Sequence, residues 1–223
     1  MIDINLGAHG DLTNRNVLGV IRGWIQSHCI SCVWLGTPCS SWTLARRGPP
    51  GSSWCTLRSA EHLDGLPGLQ GKALAAVTNG NATAAASKHI IQLCIQHCVP
   101  CILENPATSR LFSSKYVQPL LKHGDTTTLD FCQYGARWRK RTKLAFWNIE
   151  TIHNVNKRCT GHAGICSRTL NHHITLSGKD PHSKQLWTKI AEPYPTRLCH
   201  SISNQIHEHI QNHKRNKIMS LLS

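Results

Sequence analysis

The chain has 223 residues, 40% of them hydrophobic, enough to build a substantial packed core and to argue against wholesale disorder. Lysine and arginine number 25 against 11 acidic residues, and the formal net charge of +14 favours a polyanionic partner, nucleic acid before membrane. No apolar run reaches the roughly 18 residues that a bilayer span needs. The 11 cysteines are odd in number, and no signal-peptide pattern opens the chain, so a secreted disulfide scaffold is not expected. The expected setting is intracellular (the nucleus in a eukaryote, otherwise the cytoplasm), with thiols reduced and mostly filling the core.

In chain order, Ile2-Asp3-Ile4 reads as the tail of a strand. Thr13 or Asn14 then caps a helix over 14–28, where Val17, Leu18, Ile21, Trp24 and Ile25 recur at amphipathic spacing. Cys32-Val33-Trp34-Leu35 is a short buried strand broken by Gly36 and Pro38. Residues 44–69 read as a long mobile loop around Arg46-Arg47-Gly48-Pro49-Pro50-Gly51. An alanine-rich helix is expected over 82–97 and a second buried strand over 100–103, ending in Glu104-Asn105-Pro106. A helix over 113–122, strands over 127–132 and 142–147, and a final helix over about 196–213 complete the pattern. Strands alternating with helices predict a doubly wound, mostly parallel α/β sheet.

Two strand ends carry reactive groups, the Cys39 thiol after the first and the Glu104 carboxyl after the second. A third strand leads into the cationic turn Tyr134-Gly135-Ala136-Arg137-Trp138-Arg139-Lys140-Arg141. Open α/β sheets bind ligands at the carboxyl edge, where a thiolate can attack an electron-poor carbon. There a carboxyl can hydrogen-bond a ring nitrogen, and guanidiniums can hold a carbonyl or phosphate. A cysteine hydrolase fits poorly, because no histidine stands at a strand end to meet the thiol.

Pro38-Cys39, Glu104-Asn105, and Tyr134-Gly135 with Arg139 and Arg141 together resemble the motifs of the DNA cytosine-C5 methyltransferases. The resemblance implies a Rossmann-like fold of the S-adenosylmethionine-dependent type, lacking here its first strand and Gly-rich loop. It implies Cys39 as the nucleophile toward C6 of a flipped cytosine, Glu104 as the acid at N3, and Arg139 or Arg141 as assistant at O2. It further implies S-adenosylmethionine as methyl donor, contacted by Asp3 at the ribose, Asp11 and Leu12 at the adenine, and Pro38. The partner it implies is DNA, with RNA also open. The alternative is a catalytically inactive nucleic-acid-binding remnant of such an enzyme.

Arg46, Arg47, Arg137, Lys140 and Lys143 flank this region as candidate phosphate contacts, with Trp42 and Trp138 placed to stack on an unpaired base. Residues 150–185 differ from the rest, being polar and rich in cysteine and histidine. There Cys159, His162, Cys166 and His172, with His173 adjacent, suggest a structural zinc site. The expected organisation is a core over 1–149, a Cys/His insert over 150–185, and a C-terminal helix with a basic tail over 186–223.

Overall fold

The computed structural model describes residues 7–49, 52, 55–149 and 155–222. The strand tail around Asp3 lies outside these residues. The chain forms two compact units, Met1–Thr126 with Leu144–Asn148, and Thr127–Lys143 with Ile149–Ser223.

In the first unit, α1 (Arg15–Gln26) starts where the Asn14 side chain accepts a hydrogen bond from the Asn16 N–H at 2.9 Å. Ile21 and Ile25 face the core, whereas Trp24 is exposed. β1 (Val33–Leu35) runs parallel to β2 (Cys101–Pro106), in the register Val33↔Cys101, Trp34↔Ile102 and Leu35↔Leu103. Between them, α2 (Gly71–Gln96) begins eleven positions before the expected helix and buries Val77, Gly80, Ala84, Ile90, Ile91 and Cys94 among others. Its small residues permit close approach. A side chain at Gly80 would strike the Ser41 hydroxyl and the Arg58 guanidinium.

Where a helix was expected over 113–122, the chain makes two 3-10 turns, Arg110–Ser113 and Gln118–His123. Pro119 has no N–H to donate and its ring resists an α-helical interior, so the segment stops in short pieces. The supposedly mobile loop is partly internal, since Cys55, Leu57 and Arg58 are buried.

β3 (Asp125–Asp130) and β4 (Arg141–Trp147) complete a four-stranded sheet in the order β1-β2-β4-β3. The class is α/β as expected, but the sheet is mixed and mostly antiparallel rather than mostly parallel. Residues 131–140 are too few for the dozen or so that a parallel crossover requires. The chain therefore doubles back, and β4 lies between β2 and β3.

The second unit contains the 3-10 turn Phe131–Tyr134, closed by Gly135 at φ 105°, a left-handed conformation that favours glycine. Residues 156–186 have neither helix nor extended strand and are pinned by the isolated bridges Ile165↔His172 and Lys179↔Leu186. The short α3 (Trp187–Ile190) and the long α4 (Thr196–Leu222) follow, α4 continuing through the stretch read as a basic tail. Among the described residues, no helix is long and apolar enough to cross a membrane.

Candidate functional site

In the first unit, the parallel register brings the ends of β1 and β2 to one sheet edge. Two residues beyond β1, the buried Thr37 is held from both sides. Its hydroxyl lies 2.7 Å from the Ser87 hydroxyl on α2, and its carbonyl accepts the Asn105 side-chain amide at 2.7 Å. Pro38 and Cys39 follow directly. The Cys39 carbonyl accepts the N–H groups of Trp42 and Thr43, both at 2.9 Å, which turns the chain sharply and leaves Cys39 half-buried. Glu104 is one residue past the Leu35↔Leu103 pair and is buried. The thiol and the carboxyl expected from the sequence thus sit at the carboxyl ends of adjacent parallel strands.

Arg58 locks the turn behind Cys39. Its five N–H donors go to the Ser41 carbonyl (3.1 Å) and hydroxyl (3.0 Å), the Leu63 carbonyl (2.5 Å), the Asn81 side-chain oxygen (2.7 Å) and the Val77 carbonyl (3.2 Å). Burial pulls this guanidinium down to about 10, which leaves it charged at neutral pH. Its plane lies 3.4 Å over the Trp42 ring. Trp42 is fully buried, with Tyr116 edge-on to it, so it supports the turn and is not available to stack on a base.

Of the residues expected at S-adenosylmethionine, Asp11 and Leu12 precede α1 and Pro38 follows Thr37. One Asp11 carboxylate oxygen is taken by the Thr13 hydroxyl at 2.7 Å and the Thr13 N–H at 2.8 Å, and Leu12 packs against the core. Pro38 is exposed, and Asp3 lies outside the described residues. Of the basic residues in this unit, Arg46 donates to the Cys55 carbonyl at 2.9 Å while Arg47 is exposed.

In the second unit, Arg139 and Arg141 converge on the fully buried Asp130. Arg141 grips both carboxylate oxygens, Nε at 3.0 Å and Nη2 at 3.3 Å. Arg139 Nε is 3.6 Å and Arg158 Nε 3.7 Å from the same carboxylate, and the Cys159 N–H donates to it at 2.8 Å. Burial acts to raise this carboxyl, but the Arg141 and Cys159 hydrogen bonds and the neighbouring guanidinium charges outweigh it and hold Asp130 below its ordinary value. Three guanidiniums on one carboxylate leave the locality cationic. Arg137 is exposed, whereas Lys140 is turned inward, donating to the Ala191 carbonyl at 3.3 Å and lying 4.8 Å over Phe131. Lys143 on β4 and Trp138 are half-buried.

Four ligand-type side chains meet beside this group. The sulfurs of Cys132, Cys159 and Cys166 and a ring nitrogen of His173 all lie within 4.8 Å of one another. The cysteines are buried and His173 is half-buried. Two members, Cys159 and Cys166, were expected, whereas His162 and His172 are exposed and stand outside the cluster. Cys132 and His173 replace them. The bridge between Ile165 and His172 turns the chain so that the next residue faces the thiols. Cys132 carries no local signal of a ligand, being 27 positions from Cys159 and reading as the end of a strand. The 3-10 turn that brings it inward is signalled only by Gly135.

The sulfurs are not alike. Burial works against the Cys159 thiolate, yet the Ser167 N–H (3.4 Å) and hydroxyl (3.5 Å) bring it down to about 6. Cys166 is likewise lowered against its burial by the N–H groups of Arg168 and Thr169. Burial pushes Cys132 up to about 12.

These features define an α/β protein with a thiol and a carboxyl at one parallel strand edge, and a compact cluster of three cysteines and one histidine. No family model, no curated protein and no solved structure matches the chain.

Proposed function

We propose that the chain handles cytosine in nucleic acid after the manner of the DNA cytosine-C5 methyltransferases it resembles, on a core of their Rossmann-like type. DNA is the primary partner, and RNA presents the same base edge. Cys39 Sγ adds to C6 of an extruded cytosine while the Glu104 carboxyl hydrogen-bonds N3, which makes C5 nucleophilic. The adduct resolves when C5 gives up its proton and the thiolate leaves. S-adenosylmethionine, when bound, would supply the methyl group that C5 takes.

The observation that carries this reading is the hydrogen bond from Asn105 to the Thr37 carbonyl, 2.7 Å long, which ties the Pro38-Cys39 step to the Glu104-Asn105 step. It makes the two motifs one local arrangement rather than two separate coincidences of sequence. A second reading, nucleic-acid binding without methyl transfer, is favoured by the contacts of Arg139 and Arg141 with Asp130, which engage both guanidiniums.

The test is incubation of the full chain with S-adenosylmethionine and a duplex containing 5-fluorocytosine, followed by denaturing electrophoresis. The first reading predicts a covalent complex that disappears in Cys39→Ser and weakens in Glu104→Gln. Salt-sensitive binding without any adduct supports the second reading, and the absence of both overturns the two together.

A further inference from the structure

We infer that Cys132, Cys159, Cys166 and His173 hold one structural zinc ion, and that this ion fixes the basic turn between β3 and β4. The ligand set is three thiols and one imidazole, which suits tetrahedral zinc and leaves no coordination position open for a substrate. The spacing agrees. Zinc bond lengths of about 2.3 Å to sulfur and 2.0–2.1 Å to nitrogen put such a pair roughly 3.6 Å apart in a tetrahedron. Cys159 Sγ and His173 Nε2 are 3.7 Å apart.

The surrounding chain has little else to order it. Among the described residues of 155–186, only Val155, Cys159 and Cys166 are buried. A loop of that length without an apolar core needs another staple, and metal binding then becomes folding free energy. The backbone is shaped for the purpose. At Gly161, between two of the cysteines, any side chain would collide with the Ile165 carbonyl and the Ser167 N–H. Donors from Gln133 and Ser167 reach the sulfurs, Gln133 Nε2 lying 3.5 Å from Cys132 Sγ. Such donors stabilise ligating thiolates from outside the coordination sphere.

The link to the basic turn is through hydrogen bonds to backbone carbonyls. Cys132 is itself part of the 3-10 turn that leads into Arg137–Arg141. Arg168 Nε donates to the Cys132 carbonyl at 2.8 Å, and Arg139 Nη2 donates to the Cys159 carbonyl at 2.8 Å. The Ile174 N–H, next to His173, donates to the Arg137 carbonyl at 2.9 Å. The metal-holding segment and the cationic turn therefore brace each other, and the ion orders a turn in which Arg137 is exposed and the Arg139 and Arg141 side chains stay partly exposed beside Asp130. Its expected consequence, zinc-dependent affinity for a nucleic-acid backbone, rests on the nucleic-acid reading above; the metal site does not.

The test starts with metal analysis of the full chain purified under reducing conditions, with one zinc per chain expected. Cobalt(II) substitution should give a thiolate-to-cobalt charge-transfer band with tetrahedral visible bands. Cys132→Ser and His173→Ala should lose or sharply weaken binding, whereas His162→Ala and His172→Ala should keep it. Because cysteine variants can fail to fold, the unmodified chain is also alkylated with and without zinc and mapped by mass spectrometry. Zinc should protect Cys132, Cys159 and Cys166 but not the exposed Cys29, Cys98 and Cys199. Hydrogen exchange over 131–141 should slow on zinc addition. Equal alkylation of all six thiols, a disulfide within the cluster, or dependence on His162 in place of Cys132 would each overturn the site. Zinc bound with no change in exchange over 131–141 would overturn its role at the turn. If zinc binds and orders the turn but affinity for an oligonucleotide does not fall at least about tenfold on chelation, the nucleic-acid reading fails and the metal site stands.

Discussion

Asn105 and Thr37 are 68 positions apart in the chain, yet the side-chain amide of one donates to the carbonyl of the other at 2.7 Å. The same amide nitrogen donates to the Glu104 carbonyl at 3.0 Å, and both Asn105 and Thr37 are buried. This side-chain bond joins β2 to the chain two residues past the end of β1, just before Cys39. A nucleophile on a free loop would lose orientation with every fluctuation; here the chain two residues before it is clamped.

Asn105→Ala should therefore affect stability and chemistry together. Leaving a buried carbonyl without its donor costs about 1–3 kcal/mol, and urea unfolding should show a loss in that range. Adduct formation on 5-fluorocytosine DNA should drop further than the folded fraction does. An adduct yield that merely follows the folded fraction would show that the clamp does not position Cys39.

Arg58→Lys removes the planar fork while keeping the charge. Lysine offers three donors on a flexible stem where Arg58 supplies five to fixed acceptors. Destabilisation on the order of 2–4 kcal/mol is expected, measured by thermal or urea unfolding. Trp42 fluorescence should change with it, since the guanidinium lies 3.4 Å over that ring.

Asp130 gives an acid limb of defined sign. Its carboxyl is held below the ordinary value of 3.8 in the folded chain, so its contribution is full above that value and fades as the pH falls through the lower folded value. Asp130→Asn should lower stability at pH 7 by roughly 1–3 kcal/mol. The gap from the parent chain should then close as the pH drops below 3.8. Urea midpoints across the acid range check this, and a gap independent of pH would contradict it.

The sequence reading succeeded where local pattern and tertiary packing agree. The apolar stripe of α1, the short runs of β1 and β2 and the Pro38-Cys39 and Glu104-Asn105 steps all lie where periodicity and turn residues put them. It failed where the signal is not periodic. The first half of α2 is mostly alanine, glycine and asparagine, with Leu74 and Val77 its only large apolar residues, so its start was invisible, although these small residues are what lets Ser41 and Arg58 approach Gly80. The β3–β4 return was legible only as two strands, because apolar runs carry no direction; the length of 131–140 carried it. No local pattern marks Arg58, whose burial depends on five acceptors gathered from three segments. In the metal cluster, spacing favoured His162 and His172, and only the turn at Cys132 and the Ile165↔His172 bridge decide which side chains face inward.

The most direct measurement is peptide mapping of the covalent complex with 5-fluorocytosine DNA, formed by the full chain in the presence of S-adenosylmethionine. The account predicts a single modified peptide carrying the base on Cys39, reduced in yield by Asn105→Ala and Glu104→Gln. Modification of an exposed thiol such as Cys29 or Cys98, or a complex that survives Cys39→Ser, would contradict it.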